Sequence, residues 1–141
     1  MIHEVQGDIL KSEAGAIVHG VAANDPMNQG LSLAIHQMFP QMHKDFHKWC
    51  HQNHPKVGSI WKWDKVKNLI IINMLTQNGD HHHGTHPPKA NLTDVNHTLR
   101  ALKKLIHKEK IKSIAIPRLA TGVGGLLWEE VYPVIQNQLE D

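Results

Sequence analysis

The sequence has very little cysteine and no long apolar run. Cys50 is the only cysteine among 141 residues, which excludes a disulfide-stapled scaffold and any zinc site built from four cysteines. No apolar stretch approaches the roughly 18 residues that a membrane-spanning helix needs. The N-terminus also lacks the basic start and apolar block of a signal peptide. We therefore expect a cytoplasmic protein that makes no membrane contact.

No strong charge of either sign is present. Fifteen Lys and Arg against thirteen Asp and Glu give a formal net charge of +2, and 40% of the residues are hydrophobic. These values are typical of a globular domain and disfavour bulk electrostatic binding of nucleic acid, which needs a clustered basic face. A solvated helix face explains the lysines that do cluster, which are Lys103, Lys104, Lys108, Lys110 and Lys112.

Apolar periodicity divides the chain into short strands and amphipathic helices. Because the two types alternate, the sequence predicts one α/β domain over residues 1–141 with a largely parallel sheet. Pro40 interrupts one helical run, so a helix break is expected there. Strands are predicted at 2–6, 16–21, 59–63, 68–75 and 113–117, and helices at 31–38, 42–50, 92–106 and from about 128.

Two segments bear glycines and lead into helices: residues 24–30 and residues 119–125. Glycine lets the backbone approach a ligand closely, and successive N–H groups near a helix start can cradle phosphate oxygens. Both segments follow strands, so they could hold a pyrophosphate between them at one edge of the sheet. A tight turn is the alternative for each. The dinucleotide fingerprint and the phosphate-binding loop with its lysine are both absent.

Three stretches together resemble the macro domain: Gly7-Asp8-Ile9, Ile17-Val18-His19 with residues 30–35, and residues 117–128. More narrowly they resemble the class that contains the terminal ADP-ribose protein glycohydrolase and the DNA-ADP-ribosyl antitoxin, and the yeast-type ADP-ribose-1″-phosphate phosphatase is similar too. The resemblance implies a three-layer α/β/α fold with a mixed, largely parallel sheet that binds ADP-ribose. The strand that follows the last helix in the family has no counterpart in this sequence. The sheet edge would then be open, and a homodimer could cover it.

The resemblance also implies a ligand site. Asp8 would accept a hydrogen bond from the adenine amino group, and Ile9 would offer its backbone N–H to the same ring. A turn or helix cap is the alternative for Asp8, and a hydrogen-bonded core position is the alternative for His19. The implied ligand-binding set is Asp8, Ile9, His19, Asn24, Gln29, Gly30, Leu31, Thr76, Gln77, Leu119, Thr121, Gly122, Val123, Gly124 and Gly125.

Two departures from the family pattern bear on the chemistry. Glycohydrolases of this class carry a nucleophilic lysine after the threonine that follows the central strand, and this sequence has Thr76-Gln77 there. Gly124 stands where the protein glycohydrolase has a catalytic aspartate. Because glutamine is no nucleophile, a covalent route through lysine is unavailable. The phosphatase also lacks that lysine, which favours hydrolysis without a lysine intermediate.

Acidic and histidine side chains remain as catalytic candidates. A histidine with a pKa near neutral can activate water or protonate a leaving group. The substrate would be ADP-ribose-1″-phosphate or an ADP-ribosyl adduct on protein or nucleic acid, and a non-catalytic reader of such adducts is the alternative. The candidates are Asp25, Asp80, His81, His82 and His83.

Neither a cofactor nor a metal is predicted. His43, His47 and His51 fall four residues apart on one helix face and could chelate, but no carboxylate or thiolate stands in register with them. The histidine triplet at 81–83 could instead be a polar surface loop. Trp49 and Trp128 are predicted to be core anchors.

Overall fold

The computed structural model describes residues 2–78, 90–121 and 125–139. No helix in these ranges is long and apolar enough to cross a membrane. In chain order the elements are a 3-10 helix Ile9–Lys11, β1 Ala16–Ala22, α1 Gly30–Met38, α2 Pro40–Asn53, β2 Ile60–Val66, β3 Leu69–Gln77, α3 Leu92–Glu109, β4 Ile114–Ala115 and α4 Trp128–Leu139.

The strands form one mixed sheet in the order β2-β3-β1-β4. β1 lies parallel to both β3 and β4, whereas β2 pairs with β3 in the antiparallel sense. The predicted mixed α/β sheet is therefore confirmed. Within the described ranges β4 is short and forms one sheet edge, and a homodimer across that edge stays a prediction.

Both faces of the sheet are covered by helices. Alternate residues of a strand point to opposite faces, and in β1 Val18 packs with the α3 and α4 core whereas Ile17 packs with the α1 and α2 core. Ile72 and Ile71 of β3 divide in the same way. This burial on both sides explains the continuous apolar run of β3 and confirms the three-layer architecture.

The predicted strand at residues 2–6 is wrong. No strand is assigned there, and Val5 is 87% exposed. Ile2 is the member of this stretch that packs against the core. Because the outer apolar residue finds no neighbour to bury it, the alternating pattern does not produce a paired strand.

The predicted break at Pro40 is confirmed. α1 ends at Met38, and Pro40 is the first residue of α2, a position where its missing N–H costs no helical hydrogen bond. Trp49 of α2 packs against Phe46 and Trp61, as expected for a core anchor. Across the break, His36 of α1 contacts His43 of α2 beside the loop that follows β1.

Candidate ligand site at the carboxyl edge of the sheet

Three parallel strands end at one edge of the sheet, where α/β proteins bind ligands. Residues 23–29, which we call the β1–α1 loop, leave β1 at this edge. Residues 116–127, the β4–α4 turn, leave the neighbouring strand β4, and β3 ends there with Thr76 and Gln77. The topology therefore brings both glycine-bearing segments to the same edge.

Asp25 holds the shape of the β1–α1 loop. Its Oδ2 accepts a hydrogen bond from the Ala22 N–H at 2.9 Å, and its Oδ1 accepts one from the Met27 N–H at 2.8 Å. Asn24 and Met27 have positive φ angles of 56° and 51°, conformations that need such support in residues with side chains. Asp25 is thus a positioning residue in this structure, and its catalytic role stays a prediction.

The N-terminus of α1 opens onto the edge without a side-chain cap. Gln29 occupies the N-cap position but makes no capping hydrogen bond. Gly30 begins the helix with a φ of 57°, and a Cβ built there would have no atom within 4 Å. The first N–H groups of a helix, including those of Gly30 and Leu31, lack acceptors within the helix and carry partial positive charge. This end can receive an anion.

His19 lies in the core directly beneath that helix end. Its Nε2 contacts Asn73 Oδ1 at 2.6 Å and its Nδ1 contacts Ser32 Oγ at 3.0 Å, so both ring nitrogens have partners. Burial lowers the pKa of His19 to about 4, although the Asn73 hydrogen bond and the charge of Asp25 act in the opposite direction. The structure favours the core alternative: a neutral histidine that ties β1 to β3 and to the first turn of α1.

Three imidazoles form a column beside the β1–α1 loop. The ring centroids of His36 and His43 are 3.8 Å apart, and those of His43 and His47 are 4.2 Å apart. His47 Nε2 donates to the Asp25 carbonyl at 2.8 Å, and His36 Nδ1 donates to the Met27 carbonyl at 3.2 Å. Burial, followed by the two neighbouring imidazoles, lowers the pKa of His43. The column therefore connects both helices to the loop.

Two members of this column, His43 and His47, belong to the predicted series of His43, His47 and His51 on α2. His51 is exposed near the end of α2, and the third ring of the column is that of His36, which stacks on His43 across the break at Pro40. Among the described residues no group of three or more His, Cys, Asp or Glu side chains is arranged to hold a metal ion. The sequence signal that could have revealed the column is the position of His36 and His43 on either side of the predicted helix break at Pro40.

A bulge ends β3 at the edge. Val21 pairs with Leu75 and Ala22 pairs with Gln77, so Thr76 is an extra residue on its strand. Thr76 is fully buried, and its Oγ1 has no hydrogen-bond partner in the described part of the chain. An unpaired hydroxyl at the carboxyl edge of the sheet is a place where a bound molecule can supply the hydrogen bond.

Gly20, which the sequence analysis passed over, makes room for that hydroxyl. A Cβ at Gly20 would lie 2.8 Å from Thr76 Oγ1, closer than packed atoms allow. Gln77 follows Thr76 and is only 8% exposed. No short motif marks Gly20, because its role depends on a residue more than fifty positions away.

The β4–α4 turn is held by main-chain contacts and one buried anchor. The Leu126 N–H donates to the Ala120 carbonyl at 2.9 Å, and the Thr121 hydroxyl donates to the Arg118 carbonyl at 2.8 Å. Leu119 is 1% exposed and packs into the α3 and α4 core, so only its backbone can face a ligand. Gly125 has a φ of 75°, a region that favours glycine.

Asp8 is the N-cap residue of the 3-10 helix that precedes β1, and Ile9 is the first residue of that helix. Asp8 Oδ1 accepts a hydrogen bond from the Leu10 N–H at 3.0 Å, which is the helix-cap alternative. The Asp8 side chain is nevertheless exposed. The backbone N–H of Ile9 has no acceptor within the helix, because Ile9 is at its first position. No described hydrogen bond joins either residue to the carboxyl edge, and their contact with adenine stays a prediction.

Several predicted site residues lie outside the described ranges. They are Asp80, His81, His82, His83, Gly122, Val123 and Gly124. Their roles therefore stay predictions. Contact with a ligand stays a prediction for the described residues too, and those on segments that reach the carboxyl edge are Asn24, Gln29, Gly30, Leu31, Thr76, Gln77, Thr121, Gly125 and, through its backbone, Leu119.

Comparison with known proteins identifies relatives over most of the chain. The Macro domain family model matches residues 18–135. A protein of Thermus aquaticus named DNA ADP-ribosyl glycohydrolase is 30% identical over 99% of this chain and 38% of its own length. The chain thus spans less than two fifths of the length of the curated relatives it matches.

Solved structures share the fold. The macrodomain of Mycobacterium tuberculosis DarG is 26% identical with a TM-score of 0.87, and the match covers 99% of this chain and 90% of that one. Thermosipho africanus DarTG, solved in complex with ADP-ribose, has a TM-score of 0.84 at 21% identity, over 95% of this chain and 37% of that one. At 21% identity, the likeness to Thermosipho africanus DarTG shows a shared fold and no more.

Proposed function

Because the chain belongs to the Macro domain family, we propose that it binds ADP-ribose at the carboxyl edge of the sheet, with the diphosphate between the β1–α1 loop and the β4–α4 turn. The observation that carries this proposal is the uncapped N-terminus of α1, which opens at that edge opposite the turn. Helix N-terminal N–H groups and glycine-bearing turns are the groups that hold phosphate oxygens.

The distal ribose would then lie over the end of β3. Thr76 Oγ1 is buried there without a described partner, and a ribose hydroxyl or the water that attacks the anomeric carbon could complete its hydrogen bonding. Gly20 keeps this position open. The solved complex of Thermosipho africanus DarTG with ADP-ribose supports the ligand, since its fold matches this one.

The reaction we propose is hydrolysis of an ADP-ribosyl adduct on nucleic acid. It is supported by the name of the 30% identical relative, DNA ADP-ribosyl glycohydrolase. Gln77 stands at the position of the family's lysine, so water rather than a lysine would attack the anomeric carbon. The described residues bind and orient the substrate, and Asp80 with His81, His82 and His83 are the proposed proton-transfer groups.

A turnover assay tests this reaction. A single-stranded oligonucleotide carrying an ADP-ribosyl group is incubated with the protein, and released ADP-ribose is measured; ADP-ribose-1″-phosphate and ADP-ribosylated protein serve as comparison substrates. Replacing Asp80 with Asn and His81–His83 with Ala should lower kcat by about a hundredfold and leave ADP-ribose affinity unchanged. His51→Ala with His54→Ala, at two exposed histidines, is the matched control and should keep full activity.

A non-catalytic reader is the second candidate. The observation that favours it is the combination of Gln77 at the lysine position and an Asp25 carboxylate that already accepts two backbone hydrogen bonds. A reader would bind the ADP-ribosylated oligonucleotide without releasing ADP-ribose. That result from the wild-type protein would contradict hydrolysis and retain the proposed ligand.

A further inference from the structure

An exposed arginine lies on the same turn that we propose to hold the diphosphate. Arg118 follows β4 by three residues, and its carbonyl accepts the Thr121 hydroxyl at 2.8 Å. Its guanidinium carbon is 5.5 Å from the centre of the Trp128 ring, at the first residue of α4. The main chain of Arg118 thus belongs to the site, whereas its charged group lies against the helix beside it.

The charge of this guanidinium is not compensated within the described ranges. The three ion pairs found there join Lys62 to Asp64 and Glu109, and Lys65 to Asp45. Arg118 takes part in none of them. An exposed arginine without a carboxylate partner at the rim of a ligand site is available to bind an anion.

Trp128 restrains where that anion can be bound. Its ring is half-buried against the α3 and α4 core and lies 5.3 Å from the Tyr132 ring, so it is a fixed platform. The attraction between a cation and an aromatic face holds the guanidinium near the ring, and a guanidinium held in place can bind phosphate through two parallel hydrogen bonds. Trp128 is therefore a core anchor, as predicted, that also orients Arg118.

We propose that Arg118, held by Trp128, binds a backbone phosphate of the nucleic acid strand that carries the ADP-ribosyl group. The inference rests on the proposed function and names the element that recognises the rest of the substrate. In the proposed pose, backbone N–H groups of the loop and the turn hold the diphosphate of ADP-ribose, so a phosphate at the Arg118 side chain would come from the attached strand. Leu127, adjacent to Trp128 and 62% exposed, offers an apolar surface to an unpaired base.

Arg100 provides a matched control, because it is the only other arginine in the sequence. It is exposed on α3, which packs against one face of the sheet. Arg100→Gln and Arg118→Gln remove the same charge, and only the second removes it from the rim of the site. Arg118→Lys keeps the charge but loses the planar group that stacks and binds bidentately.

The test measures two affinities for each protein. The dissociation constant of an ADP-ribosylated single-stranded oligonucleotide is determined at several salt concentrations, and that of free ADP-ribose is determined at one. Arg118→Gln should weaken oligonucleotide binding about tenfold and reduce the slope of log K against log salt by about 0.7, the value for one phosphate of a single strand. Free ADP-ribose should bind unchanged. Arg118→Lys should show the salt slope of the wild-type protein, but it should recover only part of the oligonucleotide affinity that Arg118→Gln loses.

Other outcomes overturn the inference. An unchanged salt slope in Arg118→Gln, or an equal loss in Arg100→Gln, would mean that the strand does not lie at Arg118. An equal loss for free ADP-ribose would place Arg118 in the ADP-ribose site itself. Absence of ADP-ribose binding in the wild-type protein would instead contradict the proposed function.

Discussion

The two segments at the carboxyl edge are held in different ways. The β1–α1 loop is fixed by ionisable side chains: Asp25 accepts two of its N–H groups, and His36 and His47 donate to its carbonyls. The β4–α4 turn is fixed by a main-chain hydrogen bond, by the Thr121 hydroxyl, which does not ionise, and by the buried side chain of Leu119. One side of the site is therefore held by side chains that can ionise, and the other is held mainly by its own backbone.

The largest expected effect is a loss of stability in acid, and its cause is His19, the buried histidine beneath the N-terminus of α1. The pKa of His19 is about 4 in the folded protein against 6.5 ordinarily, so folding favours the neutral ring. The contribution of the neutral His19 ring to the free energy of unfolding is fully present above pH 6.5. About 3 kcal/mol of this contribution is lost as the pH falls to 4. Urea unfolding at pH 7 and pH 4 measures this loss. The loss should be smaller in His19→Gln than in the wild-type protein and unchanged in His51→Gln. A loss in His19→Gln equal to that of the wild-type protein would contradict the low pKa of His19.

A smaller effect is expected from removing the carboxylate of the loop. Asp25→Ala leaves the Ala22 and Met27 N–H groups without their acceptor and should lower the free energy of unfolding by about 2 kcal/mol. ADP-ribose binding should weaken as the loop relaxes. Asp64→Ala, which removes an exposed carboxylate from a surface ion pair, should cost less than about 1 kcal/mol. Equal losses in the two variants would show that Asp25 does not shape the loop.

The smallest effect should arise on the other side of the site and be independent of pH. Gly125→Ala places a side chain at a φ of 75° and should cost about 1 kcal/mol. Because no ionisable group fixes this turn in the described residues, the cost measured by urea unfolding should be the same at pH 7 and pH 5. A cost that changes with pH would show that the turn, too, depends on a titrating group.

Much of the fold could be predicted from the sequence because it depends on local patterns. The apolar run of β3 and the helical spacing of α3 each bury a face that the pattern specifies, and Pro40 breaks the helix wherever it is packed. Residues 2–6 carry the same kind of alternating pattern, but Val5 finds nothing to pack against. A pattern states which residues could be buried, and only the assembled core decides whether they are.

The candidate site was less predictable because its contacts join distant residues. Glycines at 30 and 125 mark the segments that reach the edge, and the resemblance supplied their ligand. The space that Gly20 leaves for Thr76, and the stacking of His36 on His43 across a helix break, depend on how β1 meets β3 and α1 meets α2. Asp25 is indistinguishable in sequence from a catalytic aspartate, and its hydrogen bonds reveal its role in the loop.

A crystal structure of the protein with ADP-ribose would test the central claim most directly. The account predicts diphosphate oxygens within hydrogen-bonding distance of the backbone N–H groups of Gly30 and Leu31 on one side and of the β4–α4 turn on the other. A ligand bound elsewhere, for example in the cavity lined by Arg100, Lys104 and His107 beside α3, would contradict it. So would a ligand-free carboxyl edge in crystals saturated with ADP-ribose.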